Sequence, residues 1–335
     1  MVSIKDIAKL LSVSPSSVSL VLNGKSKERR ISEELTEKII STAAQMGYQP
    51  NRAAVSLRTG KSKTIGLSVE NISNHFFSSL AHTIQEEAMK FHYNVVFCST
   101  ENDPQKGKEV LQFLFSQQVD GYIITPTLGM ESEIERLVNL KRPLVFMDRN
   151  LPGLNVPFVM VDNYKGVQQG IGYLIEKGSH RIGFVTVDLD MVHMQQREKA
   201  YADTLEQNAI KFDAGRVLRI GYHTSKSEAV SQISHFLLKN KDLEAIFFST
   251  NYLGIYGLLS IRELKLDIPC RLKILCFDDH DAFELHQPAI TVIKQPIQEI
   301  AETALKFLIA QLGHSKPMRN TQILVSPKML FRASS

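Results

Sequence analysis

Several side chains that could bind a small polar molecule stand at the ends of apolar runs. Asp148-Arg149 follows P-L-V-F-M, Asn251-Tyr252 follows F-F-S-T, and Asp278 follows K-I-L-C-F. Phe76-Phe77 comes after N-I-S-N-H, Arg197 opens a helical pattern in Q-Q-R-E-K-A-Y, and Tyr222 comes just after R-I-G. Carboxylates and guanidiniums give paired, directional hydrogen bonds to vicinal hydroxyls. Aromatic rings such as Phe76 and Tyr222 cover the apolar face of a sugar. Arg149 and Arg197 together could equally hold a phosphate or a carboxylate. Structural roles compete at some of these positions. An aspartate at a strand end is often a helix cap, which would account for Asp278 or Asp279. Phe77 suits a core position, and lone histidines such as His75 and His193 are more often structural than ligands.

The elements that must position these residues follow from periodicity. T-I-G-L-S-V, N-V-V-F-C-S, D-G-Y-I-I-T, P-L-V-F-M-D, F-V-M-V-D, R-I-G-F-V-T, A-I-F-F-S-T and K-I-L-C-F-D read as strands. Helical patterns lie between most of them, as in residues 77–91 and 296–312. Such alternation predicts parallel sheets with helices on both faces. Ligands in such sheets bind at the carboxyl ends of the strands, where the residues above fall. No GxGxxG follows a strand, and no Walker loop, GxSxG or HExxH occurs, so neither catalysis nor a cofactor is expected. Cys98, Cys270 and Cys276 form no CxxC pair, so neither a disulfide framework nor a metal site is expected.

A chain of 335 residues exceeds the usual single-domain size, and 43% hydrophobic content supplies ample core. No apolar run reaches the roughly eighteen residues of a membrane span. The opening M-V-S-I-K-D-I-A-K-L is broken by Lys5, Asp6 and Lys9 and does not read as a secretory signal. A cytoplasmic protein without a membrane partner is expected. Charge is uneven. Residues 1–63 hold eleven Lys and Arg against five Asp and Glu, net +6, whereas the remainder holds 28 against 30, net −2. A basic head on a near-neutral body fits a polyanion partner.

The pattern of the head specifies that partner. Ile4, Ile7, Ala8 and Leu11 recur at helical spacing behind Ser3, a candidate N-cap. Ser14-Pro15 then starts a second helix, whose apolar face is Val18, Val21 and Leu22 and whose Ser16, Ser17 and Ser19 lie largely off that face. Asn23-Gly24 ends it, because both residues tolerate the left-handed conformation. Two short helices joined by a tight turn make a helix-turn-helix, and the second enters the major groove of DNA. Small hydroxyl side chains let the backbone approach the duplex, and the valines lock the helix to its partner. Arg29 and Arg30 lie in the basic loop G-K-S-K-E-R-R, which suits phosphate contacts. Ser32 caps a third helix with a Leu35, Ile39 and Ala43 stripe, closed by Gly47. Asn51 to Arg58 could form one further short helix.

These blocks resemble the lac repressor family of bacterial transcription regulators. I-K-D-I-A-K-L-L-S-V-S-P-S-S-V-S-L-V-L-N-G is similar to that family's headpiece, Y-Q-P-N-R-A-A-V-S-L to its hinge, and T-I-G-L to the start of its effector-binding core. P-A-I-T-V-I-K-Q-P, residues 288–296, is similar to a crossover segment of the family. The resemblance implies a helix-turn-helix headpiece over 1–48, a hinge helix and linker over 49–63, and a periplasmic-binding-protein-like core over 64–335. The core would comprise two doubly wound lobes, 64–161 with 292–322 and 162–291 with 323–335, joined by three crossovers. It implies base-choosing positions at Pro15, Ser16 and Leu20, base or backbone contacts at Ser17 and Ser19, and further DNA contacts from Ser14, Asn23, Asn51 and Arg58. It also implies a minor-groove wedge at Leu57, whose unstacking cost is offset by wider contact. Phe76, Asp148, Arg197 and Asp278 match its effector-site positions. Three departures stand out. Leu20 occupies a position where relatives often carry a polar base reader, and its side chain could meet a thymine methyl. The Gly24–Arg30 loop is longer than in the lac and purine repressors. Asn251-Tyr252 replaces a frequent Asn-Asp, losing a carboxylate and gaining a ring.

The reading is a DNA-binding transcription regulator, a repressor. It would bind a near-palindromic double-stranded operator as a homodimer, under control of a small effector expected to be a sugar or sugar derivative. The competing classes are an enzyme on a doubly wound fold and a small-ligand-binding protein without operator activity.

Overall fold

The computed structural model describes residues 2–49, 55–56, 59–313 and 321–335. Asn51, Leu57 and Arg58 lie outside the described residues. The chain forms two compact units, Met1–Ser62 and Lys63–Ser335.

The first unit is helical. Its helices span Ile4–Leu10, Pro15–Leu22 and Glu33–Gln45. Each begins on a serine: Ser3, Ser14 and Ser32 accept from the backbone N–H three residues on, as short polar side chains do at helix starts. Ser3 and Asp6 complete a reciprocal capping box. The ends are equally local. Lys25 N donates to Leu20 O at 2.9 Å and Gly24 N to Val21 O at 2.9 Å, with Gly24 at φ +71. That is a Schellman ending. Asn23 itself keeps φ −98, so the left-handed step falls on Gly24 alone, where no Cβ opposes it. Ile7, Ala8, Val18, Val21, Ile39 and Ala43 form the unit's core, with Leu35 packed at its edge.

The second unit contains two six-stranded sheets. The strands are β1 Thr64–Val69, β2 Asn94–Ser99, β3 Gly121–Ile124, β4 Leu144–Met147, β5 Phe158–Val161, β6 Ile182–Asp188, β7 Val217–Gly221, β8 Ala245–Phe248, β9 Lys273–Phe277, β10 Thr291–Lys294, β11 Gln322–Val325 and β12 Lys328–Leu330. One sheet runs β11-β5-β4-β3-β1-β2, the other β12-β10-β9-β8-β6-β7. All neighbours pair in parallel except β10 and β12. The central strands β3, β4 and β8 are buried at every residue, as continuous apolar runs in parallel sheets are when helices cover both faces.

The chain passes between the sheets after β5, β10 and β11. The expected lobe limits at 291/292 and 322/323 fall inside strands and are corrected by strand pairing. β10 pairs over its length with β9 and β12, and β11 with β5. A strand's ladder commits all its residues to one sheet, so the crossings lie at residues 295–296 and 326–327.

Candidate functional site

In the first unit the recognition-helix residues present a polar outer face. Ser14, Pro15 and Ser16 are exposed, and Ser17, Ser19 and Leu20 are half-buried, while Val18 and Val21 are buried beneath them. Ser14 Oγ accepts from Ser17 N at 3.0 Å and lies 2.9 Å from Ser17 Oγ. Asn23 is exposed, and its amide also donates back to the Ser19 carbonyl. Arg29 and Arg30 are exposed in and after a single 3-10 turn, Lys27–Arg29, with Arg30 at φ +53. The helix therefore offers hydroxyls and one aliphatic side chain, suited to base edges, and the loop after it offers two exposed guanidiniums, suited to phosphates.

In the second unit the strand ends of the two sheets face one cleft. Phe76, Asp148, Arg149, Arg197, Tyr222, Asn251, Tyr252 and Asp278 all line it. Asp148 follows β4 and Asp278 follows β9, one in each sheet. Asp148 N donates to Val159 O at 3.0 Å and Asp278 N to Ile293 O at 2.8 Å. Both hold a left-handed backbone, φ +71 and φ +72. That conformation is disfavoured for a residue with a Cβ, and strain of this kind concentrates at binding sites. Neither aspartate caps the following helix. His280 caps Asp281–Leu285 through Nδ1, which accepts from Ala282 N at 3.0 Å. Asp279 instead holds Arg332 through two contacts of 2.8 and 3.1 Å.

The two arginines have different duties. Arg149 is 1% exposed and ion-paired with Glu70 and, at 3.3 Å, with Asp148, while its Nη1 donates to Asn102 Oδ1 at 2.7 Å. Its charge is already answered by two carboxylates, which disfavours the phosphate reading of an arginine pair. Arg197 donates to Asn163 Oδ1 at 2.8 Å and to the Ser249 carbonyl, and its guanidinium sits 3.6 Å from the centroid of the Phe277 ring. Stacking and two neutral acceptors hold it without a contact carboxylate. Asp278 accepts from Gln295 Nε2 at 2.7 Å. Burial, opposed by Arg197, pushes its carboxyl up to about 6. Asp148 is also pushed up, by burial first, against the pull of Arg149.

Sequence reasoning did not select Glu70, Asn74 or Gln295, and it gave His193 a structural role. All four line the cleft. Glu70 directly follows β1 and was available to the same strand-end rule that found Asp148 and Asp278. His193 is 4% exposed with Nδ1 unpartnered. Burial, then Arg149 and Arg197, hold its pKa well below the ordinary value, so it stays neutral at pH 7. Phe77 is buried in the core and also lines the cleft beside Phe76. The lobes touch across the opening, where Asn251 Nδ2 donates to Asn74 Oδ1 at 3.0 Å.

Residues 3–51 match the model of the bacterial regulatory proteins, lacI family. Residues 62–247 match that of the periplasmic binding proteins and sugar binding domain of the LacI family. The chain belongs to the LacI family. A further model, of a periplasmic binding protein-like domain, covers residues 171–335 of this LacI-family chain. The sucrose operon repressor of Streptococcus mutans is 30% identical over 92% of this chain and 92% of its own. The ribose operon repressor of Haemophilus influenzae is 29% identical over 100% of this chain and 98% of its own. In fold, the structure is similar to the lac repressor dimer bound to operator and the anti-inducer ONPF, with TM-score 0.85 and 22% identity over 99% of this chain and 98% of that one. The LacI-family chain is thus a DNA-binding transcription regulator with a ligand-binding core. Among the described residues, no helix is long and apolar enough to cross a membrane, and no cluster of His, Cys, Asp or Glu could hold a metal.

Proposed function

We propose that this protein is a cytoplasmic repressor. It binds a near-palindromic operator as a homodimer, and its operator affinity is set by a neutral carbohydrate in the cleft. The observation that carries the reading is the joining, in one chain, of a serine-faced recognition helix and a cleft lined by buried aspartates and a stacked arginine. The sucrose and ribose operon repressors among its relatives support the carbohydrate assignment. The candidate DNA contacts are Ser14, Pro15, Ser16, Ser17, Ser19, Leu20, Asn23, Arg29 and Arg30, with Asn51, Leu57 and Arg58 from the hinge. The ligand acts by binding one arrangement of the lobes better than another, which shifts the population of DNA-competent dimers.

Selection of bound duplexes from a random pool by the full-length protein tests this reading, run with and without pooled sugars. A near-palindromic consensus is expected, with affinity falling steeply as salt rises. Failure to enrich any symmetric sequence under either condition would overturn the assignment.

Asp278 predicts a pH signature. Its folded pKa near 6 lies above the ordinary 3.8, so the native state holds this proton more tightly than the unfolded chain between those values. The group's contribution to stability therefore falls as pH rises through that window. Effector affinity has the opposite slope, because a hydroxyl donor needs the carboxylate. Below about pH 6, affinity is expected to fall by up to about tenfold per unit. Titration calorimetry across that range, repeated on Asp278→Asn, checks it; a step near pH 6 that survives in the variant would assign the titration elsewhere.

A further inference from the structure

The cleft continues past its inner polar end. Glu70, Asn74, Tyr222, Asn251 and Tyr252 line both the cleft and a second chamber of about 1170 Å³, open mouth included. These residues form a neck between the two spaces. The walls of the outer chamber differ in kind. On the second lobe, Tyr252, Ile255 and Tyr256 lie three and four residues apart on the helix Asn251–Glu263 and share one face. The two tyrosine rings meet edge to face at 5.8 Å. On the first lobe the wall is polar, with Asn71, Ser73 and Glu101.

Topology sets where the chamber leads. β2 and β7 are edge strands, on the side of their sheets away from the crossovers. Glu101 lies just beyond β2 and Tyr222 just beyond β7, so the chamber opens at the free edge of the cleft. A ligand longer than the inner cleft extends there without meeting the hinge. Glu70 and Glu101 line the chamber already ion-paired, with Arg149 and Lys106. A ring-bearing wall facing amides, a hydroxyl and a carboxylate suits a sugar ring, whose faces are apolar and whose edge carries hydroxyls.

We propose that the outer chamber is a second ring subsite and that the effector is a neutral two-ring glycoside. One ring sits among Asp148, Arg197 and Asp278. The other lies on Tyr256 and Tyr252, and the linkage passes the neck. Asn74 and Asn251 exchange their mutual 3.0 Å hydrogen bond for bonds to the ligand, a replacement of near-equal strength. The inference rests on the carbohydrate reading above.

The test is calorimetric titration of the full-length protein with single-ring sugars (glucose, galactose, fructose, ribose) and two-ring sugars (cellobiose, maltose, sucrose, melibiose). A two-ring probe is expected to bind at least about tenfold more tightly than its component rings. Tyr256→Ala should weaken that probe by about tenfold, and Tyr256→Phe should restore it, because stacking needs the ring and not the hydroxyl. Thermal melts without sugar verify that both variants fold. A single-ring sugar that binds as tightly as every two-ring probe would sink the second subsite and leave the carbohydrate reading standing. So would two-ring binding that Tyr256→Ala leaves within about twofold of the parent. If operator binding is intact and no sugar of either kind binds, the carbohydrate reading falls and takes this inference with it.

Discussion

Replacing Arg149 with methionine is expected to destabilise the core by about 3–5 kcal/mol at pH 7, the usual result of removing one partner from a buried ion pair. Methionine fills much of the same space, so the loss isolates charge from packing. Arg149 draws its partners from three strand ends: Glu70 after β1, Asn102 beyond β2, and its neighbour Asp148 after β4. Without the guanidinium, Glu70 and Asp148 remain buried with no cation in contact. Asp148, already pushed up by burial, would then favour protonation further, so its folded pKa would rise. A raised acid pKa stabilises the fold relatively more at low pH, so the deficit should shrink as pH falls from 7 toward 5. Urea melts of the full-length variant at both pH values check the prediction. Adding Glu70→Gln should recover part of the loss, because one of the stranded charges is gone. A deficit below about 1 kcal/mol at pH 7 would mean that the network is open to water and worth little.

The same small substitution should have opposite signs at two helical glycines. Gly257→Ala places a Cβ 2.0 Å from Phe248 Cζ and 2.4 Å from its Cε1. Phe248 is buried on β8 and cannot move aside. The helix Asn251–Glu263 must shift instead, and it carries Asn251 and Tyr252 into the cleft and Tyr256 into the outer chamber. A loss of about 3 kcal/mol is expected, at the upper end for overpacking, together with weakened effector binding. Gly172→Ala lies in the helix Asn163–Glu176, where an added Cβ meets nothing within 4 Å. There the gain in helix propensity stands alone, and stability should rise by about 0.5–1 kcal/mol. Chemical melts of the two variants decide the matter. Equal shifts of the same sign would show that the helix Asn251–Glu263 yields to the added methyl.

How much of this was legible before folding varied with burial. The eight apolar segments read as strands are all strands: seven lie inside their sheets, where both faces are covered and the run must be largely apolar, and the eighth, β2, is an edge strand whose N-V-V-F-C-S run is still apolar enough to read. The reading missed β7, β11 and β12, which are edge strands with partly exposed residues. It took β10 only as part of a crossover segment. An edge strand has one neighbour and one wet side, so its sequence carries half the signal. The headpiece was more legible. Its caps, its Pro15 start and its Gly24 stop are local chemistry, written within a few residues of where they act.

The cleft shows the same division. Asp148, Asp278 and Asn251 were found because a strand end is a local feature with a general consequence. What each side chain does there was not local. Asp278 looked like a possible helix cap until His280 was seen to take that role. Arg149 and Arg197 looked alike in the sequence, yet one is neutralised by Glu70 and Asp148 while the other rests on Phe277. The sequence by itself determined the class of protein, the helix-turn-helix and the alternation that builds two parallel sheets, since these depend on periodicity and nearest neighbours. The tertiary structure alone decided which charges are paired, where the crossovers fall and which five residues form the neck of the cleft. Those facts depend on partners tens to hundreds of residues apart: strand order within one sheet brings Glu70 to Arg149, and the packing of the two lobes brings Asn74 to Asn251.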